Sequence, residues 1–140
     1  MGGSVSAEEK RLKVLTALKG VYDPEIPINV VDLGLIREVT VEETDGSTAV
    51  RVRYTLTAPG CPLAQMLSSL IRRAVEAAVG GDANVELIYE DFPPWTPADM
   101  TEEGREEFKR RYGYDIMDSF LKQWGSIENY IEAVRKALGK

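Results

Sequence analysis

VRVRYTLTAPGCPLAQMLSSLIRRAVEAAVGG, residues 50–81, is the stretch on which the fold turns. Val50, Val52, Tyr54 and Leu56 alternate with Arg51, Arg53, Thr55 and Thr57, and a period of two belongs to a strand with one buried face. After Ala58, Pro59, Gly60, Cys61 and Pro62 the period changes. Leu63, Met66, Leu67, Leu70, Ile71, Ala74, Val75 and Ala78 recur at helical spacing up to Gly80 and Gly81, which predicts a helix with a defined start and stop. Upstream, Val39 and Val41 alternate with Glu38, Thr40 and Glu42, and Asp45-Gly46 supplies a tight turn. Residues 35–42 and 50–57 are therefore expected as an antiparallel hairpin. Downstream, NVELIYE (84–90) reads as a third strand.

Further out, Leu12, Leu15, Leu18 and Val21, with Val14 beside them, predict a first helix over 8–21. YDPEIPINVVDLG (22–34) holds two prolines and three carboxylates and reads as a shaped loop. FPPWTP (92–97) is too rich in proline for helix or central strand and reads as an ordered loop pinned by its aromatics. Helices follow at about 101–112, around Ile116 to Trp124, and from Ser126 onward. The fold class is α+β: a two-layer α/β domain in helix-strand-strand-helix-strand order, with a small mixed sheet and a C-terminal helical extension. The expected divisions are a flexible tail at 1–7, the domain at 8–112, and an extension at 113–140 packed on the domain or at a dimer contact.

Composition narrows the chemistry. The chain of 140 residues has 17 Lys and Arg against 23 Asp and Glu, a net charge of −6, one Cys and no His. An acidic chain lacks the overall electrostatic footprint for nucleic acid or anionic lipid, so protein partners are expected. A lone Cys makes no internal disulfide and suits a reducing compartment, which points to the cytoplasm. No apolar run approaches the roughly 18 residues of a membrane span. Without His, a Cys-His or Ser-His pair and a histidine-bearing metal site are excluded within one chain. One thiol, a set of carboxylates and the hydroxyls remain.

Cys61 stands between a strand end and a helix start, after Gly60 and before Pro62. Pro suits the first helical position, which makes Cys61 the expected N-cap, where free amides and the helix dipole favour a thiolate. A lone Cys is as often a small apolar plug, and spacing alone leaves both readings open. Thr57, four residues earlier, could face the same pocket or simply suit a strand. Asp23, Glu25 and Asp32 offer hard oxygen ligands, or ordinary turn chemistry before proline. Trp95 is either a core anchor for its loop or an exposed recognition residue.

DPEIPINVVDLGLI (23–36), YTLTAPGCPLA (54–64) and PPWTP (93–97), in this order, resemble the iron-sulfur cluster assembly domain family over roughly residues 8–110. The resemblance is to SufT-like prokaryotic members, to PaaD-like accessory subunits of oxygenase systems, and to the small subunit of the eukaryotic cytosolic iron-sulfur targeting complex. It implies helices over a small sheet, and a role in maturing iron-sulfur proteins by cluster assembly, transfer or targeting rather than by turning over a small substrate. The family's reactive cysteine maps onto Cys61 and the threonine of that motif onto Thr57. The acidic residue of the D-P-E segment maps onto Asp23, with Glu25 alongside, and that of the D-L-G-L segment onto Asp32. No tightly bound cofactor is expected, only a transient cluster or iron with Cys61 as the candidate ligand, and since one thiol falls short of the usual four, a homodimer that shares the site would complete it. Partners would be assembly machinery or client apoproteins. PaaD-like members carry extra C-terminal cysteines, which this chain lacks, so the SufT-like role is favoured over an accessory subunit of a metalloenzyme complex. A thiol enzyme acting without His is the remaining alternative.

Overall fold

The Asp45-Gly46 turn sets both residues at positive φ, 51° and 79°, a turn geometry whose twist matches that of paired strands. The computed structural model that shows this describes residues 2–58 and 64–140, with side chains from residue 7 onward. The turn joins β1 (Ile36–Thr44) to β2 (Ser47–Tyr54) in antiparallel register, with Thr44 opposite Ser47 and Val39 opposite Val52. β3 (Asn84–Tyr89) pairs parallel to β2, with Val85 opposite Val50. The sheet is mixed, in the order β1-β2-β3, as the alternation and the intervening helix predict.

α1 (Gly2–Leu18) and α3 (Ala64–Val79) lie on one face of this sheet. Leu67, Ile71 and Val75 of α3 are buried at steps of four, and with Val14 and Leu18 of α1 they close over Val39, Val50, Val52 and Val85. The first helix departs from expectation in two ways. Helical backbone takes in residues 2–7, expected as tail, and Leu12 is 53% exposed. Residues two apart on a helix point in nearly opposite directions, so the face that buries Val14 turns Leu12 to solvent.

The other face of the sheet is a ladder of charge. Arg51 meets Glu86 at 3.0 Å, and Arg53 reaches Glu38 at 2.7 Å and Glu90 at 2.8 Å. A bulge between Ile36 and Glu38 sets Arg37 in the same network, donating to the Pro93 carbonyl at 2.5 Å and lying 3.4 Å from Glu90. Hydrogen bonding from Arg53, more than from Arg37, holds the Glu90 carboxyl below its ordinary range. Both edge strands give a carbonyl to the helix layer: Arg11 of α1 donates to Val39 at 3.0 Å and Arg72 of α3 to Val85 at 3.1 Å. Edge groups so occupied are poor templates for another strand.

The loop at 22–34 is more regular than its composition suggests. Tyr22 and Asn29 form an antiparallel bridge, and Val30–Leu33 make a single helical turn, α2. Its cap, Gly34, has φ 81°. Past β3, the chain runs through a 3-10 turn (Pro97–Asp99) into α4 (Glu102–Tyr112), α5 (Ile116–Trp124) and α6 (Ile127–Ala137), close to the predicted boundaries. α5 packs near the 3-10 turn and α4. Tyr130 of α6 sits edge-on to Phe120 and Trp124, and Lys140 lies 3.7 Å from Asp91.

α4 approaches α2 so closely that a Cβ on Gly104 would fall 2.4 Å from the Asp32 carbonyl oxygen. In an open helix interior Gly→Ala stabilises by about 1 kcal/mol, whereas a forced backbone shift in a packed seam costs roughly 1–3 kcal/mol. Gly104→Ala is therefore expected to destabilise the fold by about 1–2 kcal/mol, seen as a lower urea midpoint. An unchanged or higher midpoint would contradict the packing.

Candidate functional site

The start of β1 pairs with the end of β2, Ile36 opposite Tyr54, so the 22–35 loop and the residues after β2 share one end of the sheet. The pairing continues past the strands. Thr55 donates its amide to the Leu35 carbonyl at 2.9 Å, its hydroxyl donates to the Glu90 carbonyl at 2.7 Å, and the Glu90 amide donates to the Tyr54 carbonyl at 2.9 Å. Those bonds bury Thr55, which the alternation assigns to the outward row. They also end β2 at Tyr54, so Thr57 is half-buried in a bend beyond the strand rather than at its end. Because α3 crosses from β2 to β3, this is also the carboxyl end of the parallel pair, where open α/β sheets present their ligand sites. Gly60, Cys61 and Pro62, with the expected N-cap geometry, lie outside the described residues.

Asp23 is buried in the loop it organises. Its Oδ2 accepts from the Glu25 amide at 3.0 Å and the Ile26 amide at 2.9 Å, while its own amide donates to the Ile28 carbonyl at 3.3 Å. Burial pushes its carboxyl above the usual 3.8, the nearby Glu25 charge adds to the rise, and the two amides oppose it. Glu25 is at the exposed tip of the same loop. Asp32 is half-buried and divided between two partners: Oδ2 accepts from Asn29 Nδ2 at 2.7 Å, and Oδ1 accepts from the Thr101 hydroxyl at 2.9 Å. Asn29 in turn caps α2, its Oδ1 accepting from the amides of Val31 and Asp32. Asp23 and Asp32 thus spend oxygens on shaping the loop. Among the described residues, no three carboxylate or thiolate side chains come together to hold a metal.

Trp95, left open between a core anchor and an exposed partner-binding residue, is 6% exposed, and its Nε1 donates to the Leu33 carbonyl at 2.5 Å. An indole sealed in the core has no face left for a partner, so the anchor reading of Trp95 holds. Three neighbours escaped the sequence reading, namely Asn29, Thr101 and Gly104. Asn before an apolar pair and Thr before Glu-Glu are N-cap signals, and those signals were the available clue. Between the loop and α4 runs a groove of about 380 Å³, with Tyr22, Asn29 and Asp32 on one wall and Glu103, Glu107 and Arg111 on the other.

The fold and this loop-bearing end define a small α+β domain whose buried and half-buried carboxylates, Asp23 and Asp32, lie at one end of a three-stranded sheet. The chain belongs to the iron-sulfur cluster assembly protein family, whose model matches residues 11–87. An Fe-S protein maturation auxiliary factor of Porphyromonas gingivalis is 44% identical over 91 residues, 64% of this chain and 82% of that protein. The Fe-S protein maturation auxiliary factor YitW of Bacillus subtilis is 35% identical over 96 residues, 66% of this chain and 89% of that one. The crystal structure of a DUF59 domain of unknown function from Bacillus anthracis superposes with a TM-score of 0.66 at 27% identity, covering 74% of this chain and 95% of that one. Among the described residues no helix is long and apolar enough to cross a membrane.

Asp23→Asn keeps an oxygen for both loop amides and removes the charge that burial disfavours. With its pKa raised in the fold, wild-type Asp23 binds more protons folded than unfolded above 3.8. Its contribution to stability is therefore full below that value and is lost as pH rises through the raised pKa. The urea midpoint of the Asn variant relative to wild type is expected to climb from about pH 3 to about pH 7. A difference independent of pH would contradict the burial of the charge.

Proposed function

We propose that the protein is a cytoplasmic maturation factor for iron-sulfur proteins. It takes an iron-sulfur cluster or iron as transient cargo through Cys61 and passes it to client apoproteins or receives it from assembly machinery. The observation that carries this reading is the extent of the family match. Residues 11–87 include the loop of Asp23, Glu25 and Asp32, together with Thr57, Gly60, Cys61 and Pro62. The relatives named as Fe-S protein maturation auxiliary factors support it over most of their own length.

The chemistry asked of Cys61 is modest. The order Gly60-Cys61-Pro62 ahead of α3 is a sequence pattern that favours a thiolate where a helix dipole and free amides meet the sulfur. One thiolate is far short of the four that iron-sulfur clusters normally take. Cargo on Cys61 is therefore completed by a second copy of the chain or by the partner's own ligands, and it leaves easily, as a transfer factor needs. Neither role requires a general base, which accords with a chain that has no His.

Anaerobic reconstitution with iron and sulfide, followed by native mass spectrometry and visible absorption, tests the role of Cys61. Wild type is expected to carry a cluster mass on a dimer, and Cys61→Ser to stay apo. Apo protein in both would overturn Cys61 as a ligand. A wild-type alkylation rate no faster than a model thiol would overturn the activated thiolate.

A further inference from the structure

We infer that residues 95–104 form an intramolecular brace that holds the 22–34 loop in its working shape, with Thr101 as a positioning residue acting through Asp32. The inference deepens the maturation-factor reading and rests on it for its functional consequence. The brace comes from chain beyond the family-matched segment, which ends at residue 87.

Its contacts converge on three consecutive residues of the loop, Asp32, Leu33 and Gly34. Thr101 donates its amide to the Asp32 carbonyl at 2.9 Å and its hydroxyl to Asp32 Oδ1 at 2.9 Å. Trp95 Nε1 donates to the next carbonyl, that of Leu33. Gly34 lies against the Asp99 backbone so tightly that a Cβ there would fall 2.0 Å from the Asp99 oxygen. The brace is itself preorganised. Thr96 and Asp99 form a reciprocal capping box around the 3-10 turn, and the Thr101 hydroxyl also accepts from the Gly104 amide at 3.0 Å. One hydroxyl thus caps α4 and fastens α2, accepting from one and donating to the other. Asp32 passes the constraint on through Asn29 Nδ2, and Asn29 pairs with Tyr22, the residue before Asp23. The path from α4 to the Asp23 turn is unbroken.

On this basis Asp32 serves the site as a fastening, each of its oxygens accepting a hydrogen bond within the fold. What the brace presents is the tip of the loop, with Glu25 exposed and the Asp23 turn behind it. A charged acceptor strengthens the Thr101 bond relative to a neutral pair. Burial of the adjoining indole keeps water from competing for the Leu33 carbonyl.

Two variants separate bracing from helix capping. Thr101→Asp keeps an oxygen for the Gly104 amide but has no proton to donate to Asp32, and it sets two carboxylates together. Thr101→Ser keeps both bonds. Amide hydrogen exchange of full-length protein is expected to rise about tenfold or more at Glu25, Ile26, Val31 and Asp32 in Thr101→Asp, with the β2 and β3 amides unchanged. Cluster loading of a client apoprotein is expected to fall several-fold in the same variant, and Thr101→Ser to match wild type in both readouts. The inference is overturned by loop exchange that stays at the wild-type rate, by a rise shared equally with the sheet, or by an opened loop with loading intact. Failure of the maturation reading looks different: wild type then loads the client no better than Cys61→Ser, while the exchange pattern still judges the brace.

Discussion

Two backbones approach within van der Waals contact where α2 meets the chain between Trp95 and α4, and side chains at Gly34 and Gly104 would each overlap the opposing main chain. The approach lets amide, hydroxyl and indole donors reach the Asp32 and Leu33 groups directly. Removing the glycine space would push those donors beyond bonding range, because hydrogen bonds weaken steeply with distance and angle. The buried carbonyls would then lack partners at a cost of about 1–3 kcal/mol each. Steric permission at two positions is thus the condition for the polar seam.

The seam in turn determines what the rest of the molecule can present. A mixed three-stranded sheet has two helices over one face and a salt-bridge ladder on the other. Exposed ion pairs of this kind are each worth about 0–1 kcal/mol, so the ladder keeps that face wet more than it holds the strands together. The chemistry collects at the end where β1 begins and β2 ends. There Asp23 folds its loop around a buried carboxylate, and Asp32 ties the same loop to α4. The tip with Glu25 is left outward.

Strand and helix order were legible in the sequence because the period changes cleanly at 58–63 and the Asp45-Gly46 turn admits little else. Boundaries in the C-terminal half followed from caps: Gly113, Gly125 and Ser126 stand where the helices end or begin. Errors arose where tertiary contacts override local pattern. Thr55 is buried because its hydroxyl reaches a carbonyl beyond β3, a bond that no alternation of side chains foretells. The turn at Val30–Leu33 is too short for periodicity, and its cap, Asn29, sits among prolines and carboxylates that dominate the composition. The site was half legible. Motif spacing found Asp23, Asp32 and Trp95, but their hydrogen-bond partners lie far along the chain, and only those partners distinguish a fastening or an anchor from a ligand or a docking residue.

The seam is most directly tested by hydrogen exchange at the two indole N–H groups, resolved by NMR in the full-length protein, with half-buried Trp124 as the internal reference. Trp95 Nε1, buried and bonded to the Leu33 carbonyl, should exchange as slowly as the β2 amides, and well behind Trp124. A Trp95 indole that exchanges as fast as that of Trp124 would mean that the chain between Trp95 and α4 does not hold the loop.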